Sequence, residues 1–540
     1  MEAHGGRLAV EVLRAHDVDV MFTLSGGHLF VLYDGAVQGD LRLVDVRHEQ
    51  TAAFAAEGWA KVTRRPGCAA LTAGPGVTNG VSALTAARMN GSPMIVLGGR
   101  APQGRWGSGS LQELDHLPIV QSVTKRASTA FSSAAIVGEI HEAMCAARSP
   151  HRGPVFVDIP LDAFGPADVA IPEPDAASLR GAPPDADDVA SIARLVGAAE
   201  RPVLVAGGDV YWGHAEESLV AFAEAARVPV FVNGMGRGTI PADHPLAFAR
   251  ARSTALRDAD LVVVAGTPLD FRLGFGRFGD ARVVHLVDAP SELSAHAALA
   301  AHSAGDLDIA VRSLAEDAAA TAGHRRHESW ITQLRDVETA QRAAEQDALR
   351  ADADPIRPTR VYGELRARLA RDAIVIGDGG DFVSYAGKYV DSHQPGTFLD
   401  PGPYGCLGMG PGYALAAALA HPDRQVVLLL GDGAAGFALG DFDTLVRHGV
   451  NVTAVIGNNG VWGLEKHPMQ MLFGYDVVAD LRPGTRYDEV ATALGAHGEL
   501  VRDPGEVGDA LDRAFTHDGF SVVNVLTDPA DAYPRSSNLA

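Results

Sequence analysis

The stretch VVLLLGDGAAGF at positions 426–437 runs from an apolar strand directly into a glycine-rich turn. Gly431, Gly433 and Gly436 formally match the G-x-G-x-x-G pattern of dinucleotide-binding loops. A nicotinamide or flavin fingerprint also needs an acid at the end of the next strand, to bind the ribose hydroxyls. Here the next strand ends instead in GNNG at 457–460. The stretch therefore predicts an α/β strand-to-helix turn, but it is a poor match to a nicotinamide or flavin site.

Asp432 lies inside this loop, where its charge would repel a diphosphate unless a cation lay between the two. Asp432 and Asn459 follow neighbouring predicted strands, and the carboxyl ends of parallel strands meet at one edge of a sheet. Both residues offer oxygen ligands, which Mg²⁺ prefers. The sequence thus predicts a Mg²⁺ site that also binds diphosphate oxygens. The alternative is that Asp432 is a turn residue and the two asparagines cap a loop.

Short β-rich runs alternate with helical patterns along almost the whole chain, which is typical of parallel sheets. A Pro- and Asp-rich passage at 165–188 and a highly charged stretch at about 324–354 separate three such blocks. We therefore predict an α/β protein of three doubly wound parallel-sheet domains. Their expected bounds are residues 1–165, 188–325 and 355–535.

Composition excludes several classes of function. The 540 residues carry a formal net charge of −22, which disfavours binding to nucleic acid. Three widely spaced cysteines indicate neither a disulfide framework nor a thiolate zinc site. The chain shows no signal peptide and no apolar run of bilayer length, so we expect a cytoplasmic protein without membrane contact.

Four motifs together resemble one family. GDGAAGF followed by VIGNNGVWG resembles the thiamine-diphosphate (ThDP) binding motif of the superfamily that contains acetolactate synthases, oxalyl-CoA decarboxylases and 2-hydroxyacyl-CoA lyases. The segments VRHEQTAAFAAEGWAK at 46–61, TAGPGVTN at 72–79 and GMGRGTIPADHPL at 234–246 are similar to further segments of that family, including its actinobacterial members. The resemblance covers essentially the whole chain. It implies a pyrimidine-binding, a central nucleotide-binding-like and a diphosphate-binding domain, in that order.

The resemblance assigns roles to the principal residues. Asp432, Asn459 and the main-chain carbonyl of Val461 would bind Mg²⁺. Glu49 would hydrogen-bond the cofactor's pyrimidine ring and activate it, although an acid in the first turn of a helix also offsets the helix dipole. Since the family divides each site between two subunits, we expect a homodimer with shared active sites that assembles further into a tetramer.

Further site residues follow by the same resemblance. The expected cofactor contacts are Gly74, Pro75, Asn79, Asp381, Phe382, Gly405, Leu407, Gly431, Gly433, Ala434, Ala435, Val461 and Trp462. The expected catalytic residues besides Glu49 are Gln112, Glu465 and His28. Arg252 and Asp288 are candidate contacts to ADP, or to FAD, in the central domain. Leu407 could instead be a core residue, His28 could be bound by backbone groups, and Glu465, Arg252 and Asp288 could be ordinary surface charges.

The core motifs do not choose the reaction. The segment ARSTALRDADLVVVAGTPLDFRL at 251–273 and the ending YPRSSNLA at 533–540 resemble the lyases, which favours cleavage of a 2-hydroxyacyl-CoA to a carbonyl compound and formyl-CoA. In that reaction Gln112 would orient the thioester and Glu465 would assist proton transfer. The alternative is acetolactate-synthase-type decarboxylation and carboligation of pyruvate or another 2-oxo acid. More remote alternatives are a flavin-dependent 2-oxo acid oxidase or a nicotinamide oxidoreductase, and a cofactor-binding protein without catalysis.

Overall fold

A computed structural model describes residues 2–175, 179–320 and 327–534. It contains three parallel β-sheets, each flanked by helices, which confirms the predicted α/β fold of three doubly wound domains. Residues 321–326, at the end of the expected central domain, and the tail 535–540 lie outside the described residues. Within the described ranges, no helix is both long enough and apolar enough to cross a bilayer.

The N-terminal domain is a six-stranded parallel sheet with a small antiparallel ribbon formed by β1 and β8. Its strands are β1 (Glu2–His4), β2 (Val20–Thr23), β3 (Arg42–Asp45), β4 (Gly67–Leu71), β5 (Met94–Arg100), β6 (Arg126–Thr129), β7 (Pro154–Pro160) and β8 (Pro166–Asp168). Its helices are α1 (Gly5–Ala15), α2 (Phe30–Gln38), α3 (Glu49–Thr63), α4 (Pro75–Asn79), α5 (Val81–Met89), α6 (Leu117–Val120) and α7 (Ser133–Arg148). The order across the large sheet is β3-β2-β4-β5-β7-β6.

The central domain is a five-stranded parallel sheet in the order β10-β9-β11-β12-β13. Its strands are β9 (Pro202–Ala206), β10 (Val230–Val232), β11 (Leu261–Ala265), β12 (Arg282–Val287) and β13 (Ala301–Ala304). Its helices, with those that lead into the next domain, are α8 (Ala186–Ala198), α9 (Gly208–Trp212), α10 (Glu216–Ala226), α11 (Arg252–Asp258), α12 (Leu307–Ala320), α13 (Glu328–Ala344) and α14 (Gln346–Leu349). β9 and β11 are apolar and fully buried, as expected for strands covered on both faces.

The C-terminal domain is a second six-stranded parallel sheet, in the order β15-β14-β16-β17-β19-β18. Its strands are β14 (Ile374–Asp378), β15 (Phe398–Leu399), β16 (Val426–Gly431), β17 (Thr453–Asn458), β18 (His497–Val501) and β19 (Ser521–Leu526). Its helices are α15 (Pro358–Arg366), α16 (Asp381–Tyr389), α17 (Gly410–Ala420), α18 (Asp432–Phe437), α19 (Phe442–Arg447), α20 (Gly463–Phe473), α21 (Tyr487–Ala493) and α22 (Val507–Thr516).

The two outer sheets share one topology. If the strands of each are numbered along the chain from β2 and from β14, both sheets read 2-1-3-4-6-5. The chain direction across the sheet reverses between the first and third strands, and ligands of open parallel sheets bind beyond the carboxyl ends of the strands at such a switch point. The topology therefore predicts ligand binding at the turns that follow β2 and β4 and at those that follow β14 and β16.

Helices α3 and α17 join the two outer domains. Gly58 and Gly412 lie at their contact, where a Cβ on Gly412 would lie 2.8 Å from the Thr51 carbonyl oxygen. The helices run in the same direction, because Gln50 contacts the start of α17 and His421 contacts the end of α3. Their N-termini, with Glu49 on α3, therefore lie at the same end of the molecule.

Candidate active site

The loop after β16 places an acid beside the loop after β17. Asp432 is almost fully buried, and its Oδ2 accepts a hydrogen bond of 2.9 Å from the amide of Gly460. Asn459 Oδ1 accepts a hydrogen bond of 3.1 Å from the amide of Val461, and the Tyr487 hydroxyl donates to the Asp432 carbonyl at 3.1 Å. The structure thus brings Asp432, Asn459 and Val461 together, as the sequence predicted.

Burial raises the pKa of Asp432 to about 6, although the amides of Gly460 and Gly433 oppose this rise. A buried carboxylate, an amide oxygen and a main-chain carbonyl form an all-oxygen donor set, which suits a small divalent cation. A dication would also remove the energetic penalty of the buried negative charge. These residues therefore fit Mg²⁺ with a diphosphate.

Small residues and an aromatic wall flank this site. Gly433 must lack a side chain, because a Cβ there would lie 2.4 Å from the Trp462 ring. Trp462 also packs edge-on against Phe437. Gly431 precedes α18, and the side chains of Ala434 and Ala435 are buried in the core, which leaves only their backbone for a cofactor contact.

The loop before α17 is held by an acid whose role the sequence did not assign. Asp378 is fully buried at the end of β14, and its two carboxylate oxygens accept the amides of Gly408 at 2.9 Å and Gly410 at 2.8 Å. Burial raises its pKa to about 7, against the opposing effect of these amides. The clamp fixes Leu407, which packs on Gly379, where a Cβ would lie 2.2 Å from Leu407 Cδ2.

Gly405, the other expected contact in this loop, has a left-handed backbone with φ of +72°. Gln50 Nε2 donates to the Leu407 carbonyl at 3.4 Å, so the loop touches the first turn of α3 within one chain. Gly405 and Leu407 thus lie near the helix that begins at Glu49.

Glu49 and Asn79 form a pair at the carboxyl edge of the N-terminal sheet. Asn79 Nδ2 donates to Glu49 Oε2 at 3.0 Å, on an exposed part of this chain. Gly74, with φ of +60°, and Pro75 form the turn into the helix that ends at Asn79. The structure therefore joins the RHE and GPG segments, which are 30 residues apart in the sequence, into one site.

A buried hydrogen-bond network supports Gln112 and His28. Gln112 lies against Gly74, where a Cβ would be 3.1 Å from Gln112 Cβ, and has φ of +59°. The Gly74 amide donates to His116 Nε2 at 3.0 Å, and His116 Nδ1 lies 3.1 Å from Asp158 Oδ2. His116 and Asp158 are not among the residues that the sequence predicted for the site. The signal for them in the sequence is a polar residue within an apolar stretch.

His28 is buried, and its Nδ1 lies 3.3 Å from the Thr72 hydroxyl. Burial and the nearby His116 lower its pKa. The lowered pKa favours the neutral imidazole, and His28 contacts both the Thr72 side chain and the backbone of Leu111. Its position between the turns after β2 and β4 puts it at the switch point of the N-terminal sheet.

The side chains of two expected cofactor contacts, Phe382 and Asp381, are engaged elsewhere, which leaves only their backbone for a cofactor. Phe382 is buried in the core below Gly457, where a Cβ would lie 2.2 Å from the ring, so its side chain is unavailable to a cofactor. Asp381 is also buried, and both its carboxylate oxygens accept the Tyr533 amide, at 3.0 and 3.2 Å. The acid at 381 thus anchors the C-terminal segment. In the same turn, Asp378 and Gly379 contact the Leu407 loop.

The tentative nucleotide contacts lie apart from each other. Arg252 donates to the Val232 carbonyl at 3.1 Å and lines a cavity of about 140 Å³ between the central and C-terminal domains. Asp288 contacts His151 and lines a different cavity, of about 260 Å³. The two residues therefore line different cavities, and their contact with a nucleotide stays a prediction. Glu465 is exposed in the first turn of α20.

Comparisons with known proteins agree with this geometry. Residues 3–119, 189–314 and 378–525 match the family models described as the N-terminal TPP binding domain, the central domain and the C-terminal TPP binding domain of thiamine pyrophosphate enzymes. The "Acetolactate synthase large subunit IlvG" of Mycobacterium tuberculosis is 54% identical over 541 residues, which cover 99% of this chain and 98% of that protein. The "2-hydroxyacyl-CoA lyase 2" of Caenorhabditis elegans is 33% identical, over 98% of this chain and 90% of that protein. The human protein of the same name is 33% identical, over 93% and 86%.

Proposed function

Because this chain belongs to the thiamine pyrophosphate enzyme family, we propose that it decarboxylates a 2-oxo acid and joins the remaining fragment to a second 2-oxo acid, as in acetolactate synthesis. ThDP, which is the same molecule as thiamine pyrophosphate, and Mg²⁺ are the proposed cofactors. This proposal replaces the lyase reaction, which the sequence motifs favoured.

The observation that carries the proposal is the identity of 54% over nearly the full length to a protein named acetolactate synthase, against 33% to proteins named lyase. The two reactions differ in their need for Glu465. The lyase hypothesis uses Glu465, in the first turn of α20, as a base beside the substrate. A 2-oxo acid needs no such base, because the departing CO₂ carries no hydroxyl proton.

The residues of the chain have separate tasks in this reaction. Bound ThDP supplies a nucleophilic carbon that attacks the substrate carbonyl. Asp432, Asn459 and the Val461 carbonyl would hold Mg²⁺ and through it the diphosphate. Glu49, oriented by Asn79, would hold and return a proton at the pyrimidine side.

The neighbouring residues shape the site. Leu407, fixed by Asp378, would support the cofactor from below. Trp462 and the neutral His28 would keep water away from the reacting carbon. Leu407 and Trp462 carry no charge that would repel the carboxylate of a 2-oxo acid.

The test compares two substrates on holoenzyme loaded with ThDP and Mg²⁺. We expect CO₂ and a carboligation product from pyruvate, and no formyl-CoA from a short 2-hydroxyacyl-CoA. The Glu49→Gln variant is the control for contaminating activity and should give neither product. Formyl-CoA from the thioester, without turnover of pyruvate, would instead support the lyase, which the relatives at 33% identity keep as the second candidate.

We also propose that the active enzyme is a homodimer with shared sites. The exposed Glu49–Asn79 pair supports a partner chain, as do exposed apolar side chains at the end of α20 and just after it, which include Met471, Phe473 and Val478. Mixing inactive Glu49→Gln and Asp432→Ala proteins under subunit exchange should restore activity, because each mixed dimer would contain one intact site. If both groups act within one chain, the mixture stays inactive.

A further inference from the structure

Three side chains outside the proposed active site converge between the N-terminal and central domains. His151 lies just before β7 of the N-terminal domain. Asp209 follows β9 and Asp288 follows β12, at the carboxyl edge of the central sheet. His151 and Asp209 line a cavity of about 590 Å³, and Asp288 lines the adjoining cavity of about 260 Å³. The cluster thus forms part of the wall between two cavities.

The distances in this cluster match those between ligands of one ion. His151 Nδ1 lies 3.1 Å from Asp288 Oδ1 and 3.4 Å from Asp209 Oδ1. The three ligand atoms all lie within 4.8 Å of one another. Two ligands of a tetrahedral zinc ion, each about 2.0–2.1 Å from the metal, lie about 3.3–3.4 Å apart. An ion could therefore enter with only small side-chain shifts.

The backbone of the central sheet makes room for the cluster. Gly266 follows β11, the strand between β9 and β12, and has φ of +67°. A Cβ on Gly266 would lie 2.9 Å from Asp209 Cβ, so any side chain there would obstruct Asp209. The Asp209 amide donates to the Gly266 carbonyl at 2.9 Å. Because Gly266 has no side chain, Asp209 can lie over the end of β11 and approach Asp288.

A second observation points to a ligand. Asp288 is 7% exposed, and its Oδ2 is buried without a hydrogen-bond partner among the described residues. A buried carboxylate oxygen normally accepts a hydrogen bond or binds a cation. Arg152 and Lys125 act on Asp288 electrostatically, but neither forms a salt bridge with it in the described part of the chain. One buried oxygen of the cluster therefore remains available.

Two carboxylates face a single imidazole, and the buried Arg152 guanidinium also acts on both acids. A dication bound by both carboxylates would be held by opposite charge, with the imidazole nitrogen as its third ligand.

The same acids bear on the nucleotide that the family resemblance suggested. Phosphates in such sheets bind at the carboxyl edge, where this sheet presents Asp209 and Asp288. An acid after a strand of such a sheet can also bind the ribose hydroxyls of a nucleotide, so a cation here would compete with the ADP or FAD that the resemblance suggested. The donor set, one imidazole nitrogen and carboxylate oxygens, suits a first-row transition cation better than Mg²⁺.

We propose that His151, Asp209 and Asp288 bind one divalent cation of the zinc or manganese class. The ion ties the N-terminal domain to the central sheet and is distinct from the Mg²⁺ proposed at Asp432. Its effect is structural, because it joins ligands from two domains.

The experiment uses full-length protein loaded with ThDP and excess Mg²⁺, to which Zn²⁺ is added before dialysis against the same Mg²⁺ buffer. We expect mass spectrometry of the metals to find one retained Zn²⁺ per chain, together with a higher melting temperature. Asp288→Asn and His151→Gln should retain no Zn²⁺ and show no Zn²⁺-dependent shift in melting temperature. The melting temperature without Zn²⁺ checks that both variants are folded.

Two controls locate the ion. Asp432→Ala should lose ThDP yet retain Zn²⁺, which separates this proposal from the proposed function. Cys145→Ser removes a ligand from the other cluster of potential metal ligands, His16, His141 and Cys145, and should also retain Zn²⁺. The proposal is overturned if wild-type protein retains no Zn²⁺, if Asp288→Asn retains it equally, or if Cys145→Ser alone abolishes it.

Discussion

The N-terminal and C-terminal sheets have the same strand order and differ in the charge at their switch points. In each, two glycines follow the first strand, Gly26–Gly27 after β2 and Gly379–Gly380 after β14. The N-terminal turns, TLSGGH at 23–28 and TAGP at 72–75, contain no acid. The C-terminal turns contain the buried acids Asp378, Asp381 and Asp432. One topology thus provides two binding edges of different charge.

Burial acts alike at both edges, but its consequences differ. It lowers the pKa of His28 and raises the pKa values of Asp378 and Asp432, so both edges favour neutral groups. At the N-terminal edge the result is a neutral, hydrogen-bonding surface suited to an aromatic ring. At the C-terminal edge the buried charge of Asp432 carries an energetic penalty that a bound cation would relieve, which suits a metal-bound diphosphate. The difference between the edges therefore lies in a few side chains and not in the fold.

The first prediction tests whether the N-terminal edge supplies proton chemistry. Glu49→Gln should lower turnover by about 10²–10⁴-fold, because it removes the carboxyl but keeps its shape and its contact with Asn79. ThDP affinity, measured by calorimetry, should change little. Asp45→Asn, on the same edge, is the control and should stay active. Unchanged turnover in Glu49→Gln would contradict the proposed role of Glu49 in proton transfer.

The second prediction tests whether the C-terminal edge supplies metal binding. Asp432→Ala should weaken Mg²⁺-dependent ThDP binding by at least about 100-fold, because the site loses its only predicted anionic metal ligand. Asp423→Ala, in the exposed turn before β16, should bind normally. Undiminished ThDP affinity in Asp432→Ala, measured by calorimetry, would show that the metal lies elsewhere.

The third prediction concerns the clamp on the Leu407 loop. In Asp378→Asn one carboxylate oxygen becomes an NH₂ group that faces the amide of Gly408 or Gly410 and cannot accept its hydrogen. Misplacement of Leu407 should lower kcat by about 100-fold and change KM less. Steady-state kinetics would measure kcat and KM of Asp378→Asn. Asp372→Asn, a nearby surface change, is the control. Equal kcat values in the two variants would contradict the clamp.

The fourth prediction is a pH dependence of stability without metal. Burial raises the folded pKa of Asp432 to about 6, above the usual value of 3.8, so the ionised group destabilises the fold. The penalty is absent below about pH 4, grows between about pH 4 and 6, and is complete above pH 6. Metal-free Asp432→Asn should thus exceed wild type by about 2–3 kcal/mol above pH 6 and match it at pH 4. Denaturant unfolding at pH 4 and above pH 6 would measure the difference in unfolding free energy between the two proteins. The same difference at both pH values would contradict a penalty from the ionised Asp432.

The fifth prediction carries the smallest effect. His28→Gln should lower turnover by no more than about tenfold, and it should leave the acid limb of the pH–rate profile in place, because the lowered pKa of His28 favours the neutral imidazole. His517→Gln, on the surface, provides the matched control. Loss of the acid limb in His28→Gln would mean that His28 titrates during catalysis.

Much of the site could be predicted from the sequence. Asp432 and Asn459 could be paired because each follows an apolar strand, and parallel strands bring such positions to one edge. The roles of Asp378, Asp381 and Phe382 could not be separated in this way. All three lie in or beside one turn, GDGGDF, but one clamps a loop, one anchors the C-terminal segment and one fills the core. These roles depend on partners up to about 150 residues away in the chain.

The sequence by itself determined the α/β class, the three-sheet plan and the family, because strand periodicity and the glycine and asparagine motifs are local properties of the chain. Only the tertiary structure decided which distant side chains meet. It joined Glu49 to Asn79, separated Arg252 from Asp288, and brought His151 of one domain to Asp209 and Asp288 of another. The physical reason is that the direction of a side chain and its burial follow from the packing of whole sheets, which no short segment specifies.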